Sequence, residues 1–204
     1  RMERETSENA GSTLSIDLSG DVLNLDAARA IAALVTGQDE ADKIVADKVA
    51  ARLQLRKLVA LGVEAEQIDA ILRYADGRVE VERLNVGDLA GATLRLAGNF
   101  AGKADAPAAK GRVTISAADP AGLLGLVKER YAALPALERF LGASRFYADT
   151  DVTLDVALSE TGALTVAGEG RSNGSQVRLS YNGSVNATGE RAVDVELKND
   201  DAAI

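Results

Sequence analysis

The sequence has 204 residues and a formal net charge of −8, and it contains neither histidine nor cysteine. This length suits one domain or two small ones that bury a core without metals or disulfides. The acidic balance argues against nucleic acid as a partner, because neutralising phosphates requires clustered lysine and arginine. Without histidine and cysteine, the commonest general base, transition-metal ligand and thiol nucleophile are missing. We therefore expect no enzymatic activity, no cofactor and no metal.

Hydrophobic residues make up 47% of the chain, but aromatic residues only 3%. The interior must therefore be filled by alanine, valine, leucine and isoleucine, of which valine and isoleucine favour strands. No apolar run approaches the roughly 20 residues that span a bilayer, so any membrane attachment is expected through segments outside this chain. The polar stretch 1–12 and the tail 199–204 lead us to expect a piece of a longer protein.

Alternation of apolar and polar residues recurs along most of the chain and predicts half-buried strands. The first such strand surrounds Leu14, and Asp26 is predicted to cap a helix over 27–35. A second strand follows around 49–56. Asp76-Gly77 then predicts a hairpin turn between strands, because glycine tolerates positive φ.

In the strand that returns from this turn, the apolar positions change parity, and a β-bulge near Glu82 would explain the change. Further strands are predicted around 92–100 and 113–115. Asp119-Pro120 predicts the start of a second helix, with proline at its first position. A third amphipathic stretch covers 129–141.

The last part of the chain again alternates, with strands predicted at 152–158, 164–166, 177–181 and 193–197. The pattern of strand, aspartate and short helix at 14–35 is repeated at 111–127, and each copy is followed by a hairpin. We predict a mainly β (α+β) fold of curved antiparallel meander sheets in two tandem strand-helix-hairpin units, with short helices covering one end or face. The predicted organisation is a polar segment 1–12, a first unit 13–109, a second unit 110–198 and a tail 199–204.

Two polar stretches could be taken for binding sites. Asp149, Asp151 and Asp155 suggest calcium ligands, but their even spacing is typical of the wet face of a strand, and the closing glutamate of an EF-hand is missing. The glycine-rich stretch 168–174 resembles a phosphate loop, but no helix follows to supply N-terminal amides. We interpret it as a turn.

The stretch Gly77-Arg-Val-Glu-Val-Glu-Arg-Leu-Asn-Val-Gly-Asp-Leu-Ala-Gly-Ala-Thr-Leu-Arg-Leu-Ala-Gly-Asn-Phe100, after a strand, a Leu-Asp pair and a short helix, resembles the AsmA-like proteins of Gram-negative bacteria. The best match covers 63–127 and a weaker one covers 14–185. The resemblance implies a periplasmic location, an inner-membrane anchor elsewhere in the full-length protein, and a role in outer-membrane biogenesis. It also implies curved sheets whose concave face receives lipid acyl chains, with phospholipid or envelope proteins as partners and no catalytic residues.

The apolar faces of the predicted strands suit either a closed core or an open lipid groove. We favour a largely closed core, because an exposed apolar trough tends to aggregate. In the groove alternative, helices around Leu123 and Leu137 would cover one end. The residues expected to face lipid are then Leu72, Val81, Leu94, Leu154, Val156 and Leu179.

A β-sandwich adhesion or polysaccharide-binding module of a secreted protein is the alternative function. The acidic, strand-rich composition is compatible with such a module. Sugar-binding modules usually stack aromatic side chains on their ligand, and here only four tyrosines and three phenylalanines are available for that role. Tyr147 is the residue with which this alternative can be tested.

Overall fold

The computed structural model describes residues 2–7, 10–27, 47–103, 106–130, 147–185 and 191–199. These residues are mostly β, as the sequence predicts. The strands are β1 (Met2–Ser7), β2 (Ala10–Asn24), β3 (Lys48–Ala60), β4 (Val63–Ala75), β5 (Arg78–Leu89), β6 (Ala92–Lys103), β7 (Ala106–Ala117), β8 (Thr150–Leu158), β9 (Leu164–Ser172), β10 (Ser175–Val185) and β11 (Arg191–Asn199). The helix α1 covers Ala121–Arg130.

All described strands belong to one open sheet, in which each strand lies next to its neighbour in sequence and β1 and β11 form the two edges. Every pairing is antiparallel except that of β2 with β3, which is parallel. The prediction of an antiparallel meander is therefore wrong at this pair. A parallel pair needs a long crossover connection, and the interval in sequence between Asn24 and Lys48 is long enough for one. The predicted boundary between residues 109 and 110 lies inside β7, and the sheet continues across it.

In the described part of the chain, four hairpins turn through two residues, of which the second is glycine. Both residues have positive φ at each turn, as at Asp76 (51°) and Gly77 (73°). Turns of this hand match the natural twist of the flanking strands and fix their register. The predicted turn at Asp76-Gly77 is confirmed; the other three lie at Leu61-Gly62, Ala90-Gly91 and Asn173-Gly174.

The strand β5 contains the predicted bulge. Ile71 pairs with Arg83 and Leu72 pairs with Val81, so that Glu82 has no partner in β4. β5 has a second irregularity, towards β6. Val86 pairs with Leu94 and Leu89 pairs with Ala92, so β5 has one residue more than β6 between these two pairs. Each extra residue compensates for a shift in the alternation of apolar and polar residues along β5. The apolar side chains before and after it therefore lie on the same face of the sheet.

The start of α1 agrees with the sequence prediction. The Asp119 carboxylate accepts a hydrogen bond from the Ala121 amide (2.9 Å), and the Leu124 amide donates to the Pro120 carbonyl (3.0 Å). Asp119 is thus the N-cap, and Pro120, directly before Ala121, accepts a hydrogen bond of the first helical turn. The predicted stretch 129–141 lies, from residue 131 onward, outside the described residues.

The prediction for the other helix is wrong in its cap. The Ala27 amide donates to Oδ1 of Asn24 (2.8 Å), so Asn24 supplies the capping side chain. Asp26 instead accepts hydrogen bonds from the amides of Leu61 (2.7 Å) and Gly62 (2.9 Å), in the β3–β4 turn. Residues 28–35 of this predicted helix lie outside the described residues. Aspartate and asparagine side chains cap helices and also accept hydrogen bonds from the amides of turns. The residue type alone therefore does not indicate which of the two roles Asp26 has.

Removing the Asp26 carboxylate should loosen the β3–β4 turn. We expect Asp26→Ala to lower the free energy of unfolding by about 1–2 kcal/mol, because two backbone amides lose a charged acceptor. Asp26→Asn keeps one acceptor oxygen and should recover part of the loss. Thermal unfolding of the three proteins checks this, and equal melting temperatures for Asp26→Ala and the parent chain would contradict it.

Three buried hydrophobic side chains form a small cluster at the middle of β3 and β4. Leu55 is 5% exposed, Ile68 4% and Ala70 1%. Partly buried residues of β2 to β5 pack around them, among them Leu18 and Leu84. In the described residues no large side chain is fully buried, so the sheet has a thin core for its number of strands.

Candidate functional site

One face of the sheet is largely apolar from β2 to β10. Directly paired residues of neighbouring strands point to the same face, so the register identifies rows of side chains that cross the sheet. One row passes from β5 to β10 through Val86, Leu94, Ile115, Val152, Gly170 and Val177. The next passes through Leu84, Leu96, Val113, Leu154, Gly168 and Leu179. We call this surface the apolar face.

All six residues predicted to face lipid lie on the apolar face, but they do not form one cluster. Leu72 and Val81 are a direct pair, and Leu154 and Leu179 lie on either side of Gly168. Val156 lies in the same row as that pair but is separated from it by Gly98 and Gly111, and Leu94 lies in a third row. Val81 is only 7% exposed and offers little surface to a ligand.

The apolar face is folded inward where two glycines pair. An ideal Cβ on Gly98 would lie 2.7 Å from the Cα of Gly111, and one on Gly111 would lie 3.2 Å from the Cα of Gly98. In a regular antiparallel pair even two facing Cβ atoms are about 4.5–5.5 Å apart. The backbones of β6 and β7 therefore lean towards each other over the apolar face, and only glycine leaves room for this.

A second fold of the same kind joins β8 and β9. A Cβ on Gly170 would lie 2.6 Å from the Cα of Val152, and one on Gly168 would lie 3.1 Å from the Thr153 carbonyl oxygen. The prediction that the whole stretch 168–174 is a turn is wrong. Most of it belongs to β9, and the chain turns at Asn173-Gly174. Its glycines permit close approach of neighbouring strands. We call the two glycine-lined folds the creases; together they make the apolar face concave.

The trough made by the creases differs at its two ends. At the end near the β4–β5 turn, the paired side chains of Val79 and Phe100 are 36% and 41% exposed. At the other end, Ala92 and Ala117 are 1% and 7% exposed, near the start of α1. Between them most side chains of the apolar face are half-buried. The trough is therefore more accessible at the end away from the helix.

A cavity of about 240 Å³ lies between α1 and the strands β7 to β10. Its walls are almost entirely aliphatic. Leu154 and Leu179, two of the predicted residues, belong to it, and Leu123 covers it from the helix as expected; Leu137 lies outside the described residues. The sequence analysis missed the other walls, which are chiefly Ile115, Leu124, Tyr147, Val152 and Val177. Several of these residues were recognised as apolar positions of strands. That they lie opposite α1 follows only from the pairing of the strands.

The polar groups at the edge of this cavity satisfy one another. The Thr150 hydroxyl donates to the Tyr147 carbonyl and therefore accepts from the Ser172 hydroxyl, at 2.9 Å. Ser172 is 4% exposed. Burial raises the pKa of the Tyr147 phenol, which favours its neutral form. In the described part of the chain no buried side-chain oxygen or nitrogen lacks a hydrogen-bond partner. The cavity thus presents apolar surface to a ligand, and the polar groups at its edge need no hydrogen bonds from that ligand.

The opposite face of the sheet is charged. It forms a shallow depression of about 890 Å³ over β7 to β11. Arg112 and Asp155 make two hydrogen bonds there, from Nε (2.8 Å) and from the second guanidinium nitrogen (3.0 Å). The depression carries as many acidic as basic side chains, namely Asp151, Asp155, Glu169 and Glu196 against Arg112, Arg171, Arg178 and Lys198. This balance gives no preference for an anionic or a cationic ligand.

The Arg112 pair predicts how Asp155 titrates. The hydrogen bonds from Arg112 lower the pKa of the Asp155 carboxyl. A lowered pKa in the folded state contributes stability above the unfolded pKa, and this contribution is lost as the pH falls through the folded value. Because the pair is exposed, we expect little change in overall stability. An NMR titration should show the Asp155 midpoint rising in Arg112→Ala, and an unchanged midpoint would contradict the pairing.

Among the described residues, no group of three or more acidic side chains is arranged to hold a metal ion. Asp155, one of the three aspartates considered as calcium ligands, is engaged by Arg112. None of the described helices has the length and apolar character to cross a membrane. Neither a protein-family model, a curated protein nor a solved structure matches this chain.

Proposed function

We propose that this chain is a non-catalytic AsmA-like periplasmic domain that takes part in outer-membrane biogenesis by shielding lipid acyl chains on its apolar face. The observation that carries the proposal is the creased, concave and half-exposed apolar face. Acyl chains bind by burial of methylenes, each of which contributes about 0.8 kcal/mol. A trough without unpaired polar groups suits such a ligand.

Two properties of the sheet favour an open trough over a closed core. The described strands contact chiefly their neighbours within the sheet, so no second sheet packs across the apolar face in this part of the chain. The residues at the end marked by Val79 and Phe100 remain substantially exposed. A polysaccharide-binding sandwich is less well supported, because its two sheets would bury this face against each other.

The tandem arrangement belongs to the proposal as well. In both proposed units a strand leads through a capping side chain into a helix, with Asn24 in the first unit and Asp119 in the second. The units differ in how the chain returns, since β3 is parallel to β2 whereas β8 is antiparallel to β7. If the two units arose by duplication, the strand that follows the helix reversed its direction in one of them.

Lipid carried by the chain tests the proposal. After expression in the periplasm of a Gram-negative host, native mass spectrometry should detect co-purified phospholipid. Leu154→Asn should reduce it several-fold, because an amide would replace apolar surface in the trough. We expect this variant to lose only about 1–2 kcal/mol of stability, since Leu154 is half-buried.

Ala157→Asn is the matched control. Ala157 lies on the same strand but pairs with Lys110, on the charged face. This variant should carry as much phospholipid as the parent chain. Absence of lipid from the parent chain, or equal loss in both variants, would overturn the proposal.

A further inference from the structure

The cavity beneath α1 differs from the rest of the apolar face. It is bounded on two sides, by Leu123 and Leu124 of the helix and by side chains of β7 to β10. Elsewhere the described face is a single layer of half-buried side chains. A ligand that enters the cavity can therefore be surrounded, whereas one that lies along the trough is covered on one side only.

The shape and chemistry of the cavity restrict what can enter. Its volume of about 240 Å³ is too small for an α-helix, whose diameter with side chains is about 10–12 Å. An extended peptide would bring backbone amides, and these would find no partner because the Ser172 and Thr150 hydroxyls already bond to each other. A charged group would be desolvated without a partner, because Glu169, the one charged residue of the lining, pairs with Thr153 and lies on the charged face. A thin chain without hydrogen-bonding groups meets none of these penalties.

The floor of the cavity includes Gly168 of the second crease. Gly168 carries no side chain, and the Leu154 side chain lies over it, so Leu154 and Leu179 on either side of Gly168 form this part of the wall. The cavity shares Leu154 and Leu179 with the trough. A hydrocarbon chain lying in the trough can thus place its end under the helix.

We propose that this cavity binds the terminal part of one unbranched hydrocarbon chain and thereby selects ligands by chain length. The inference rests on the proposed function, of which it specifies the ligand class and the place where the chain ends. Each methylene that enters should raise affinity about fourfold, the equivalent of about 0.8 kcal/mol. Once the cavity is full, further methylenes should add much less, because they lie in the half-open trough.

Calorimetric titration with octanoate, decanoate, dodecanoate, tetradecanoate and hexadecanoate, each below its micelle concentration, tests this. Affinity should rise steeply over the shorter members and then level off. Val177→Phe fills the cavity from the sheet and should weaken binding of dodecanoate at least tenfold. Leu123→Phe fills it from the helix and should have the same effect, which guards against misfolding of a single variant.

Ala167→Phe is the matched control, because Ala167 pairs with Asp155 on the charged face and lies outside the cavity walls. It should bind dodecanoate as the parent chain does. Val166 lies on the apolar face but outside the cavity walls. If Val166→Phe weakens binding as much as Val177→Phe, the ligand lies along the trough; the inference then fails while the proposed function stands. If no carboxylate binds and no phospholipid co-purifies, both fail. A continuous rise of affinity to hexadecanoate also overturns the selection by length.

Discussion

Ile68→Ala is expected to lower the free energy of unfolding by about 3–4 kcal/mol. Ile68 is 4% exposed and packs with Leu55 and Ala70 in the most buried cluster of the described residues. Removing its outer carbons deletes buried apolar surface and leaves a cavity that neighbouring strands cannot fill without shifting. Because the sheet has few other buried side chains, this cluster should contribute a large share of the stability.

Urea unfolding followed by circular dichroism measures this loss. Leu61→Ala is the control, since Leu61 is 62% exposed in the β3–β4 turn. Its loss of apolar carbons should change stability by less than about 0.5 kcal/mol. A similar midpoint for both variants would show that the cluster is not the centre of stability.

Gly170→Ala is expected to cost about 2–3 kcal/mol, although it adds only one methyl group. The new methyl carbon would lie 2.6 Å from the Cα of Val152 and would overlap the Asp151 carbonyl oxygen. These are backbone atoms, so relief requires β8 and β9 to move apart and flattens the crease. The same variant should also bind lipid less well, because the trough becomes shallower.

Gly20→Ala is the control for Gly170→Ala. Gly20 lies in β2 and has no atom within 4 Å of an ideal Cβ, so its substitution should be neutral or slightly stabilising. Chemical unfolding of the two variants gives the comparison. If Gly170→Ala were as stable as Gly20→Ala, β8 and β9 would not approach as closely as the crease requires.

Local patterns in the sequence were sufficient for much of the sheet. The turn at Asp76-Gly77, the bulge at Glu82 and the cap at Asp119 each depend on a few adjacent residues, and all three are confirmed. The common face of the six predicted lipid-facing residues also follows from alternation within strands. These features need no knowledge of distant partners.

Features that depend on distant residues were missed. The parallel pairing of β2 with β3 has no local signature, and Asp26 was assigned to a helix because its true partners, the amides of Leu61 and Gly62, lie 35 and 36 residues away. The creases were missed for a similar reason. Glycine within 168–174 is compatible with a turn or with a close approach between strands, and only the position of Val152 decides between them.

The sequential order of the strands also has a consequence for folding. Most neighbouring strands are joined by short turns, so each pairing closes a small loop and loses little chain entropy. Only the connections 25–47 and 118–149 are long, at the β2–β3 and β7–β8 pairings. Folding should therefore begin within the groups β1–β2, β3–β7 and β8–β11, which join later. None of these groups depends on the far edge of the sheet for its pairing. A whole hairpin could therefore be gained or lost at an edge while the remaining strands keep their register.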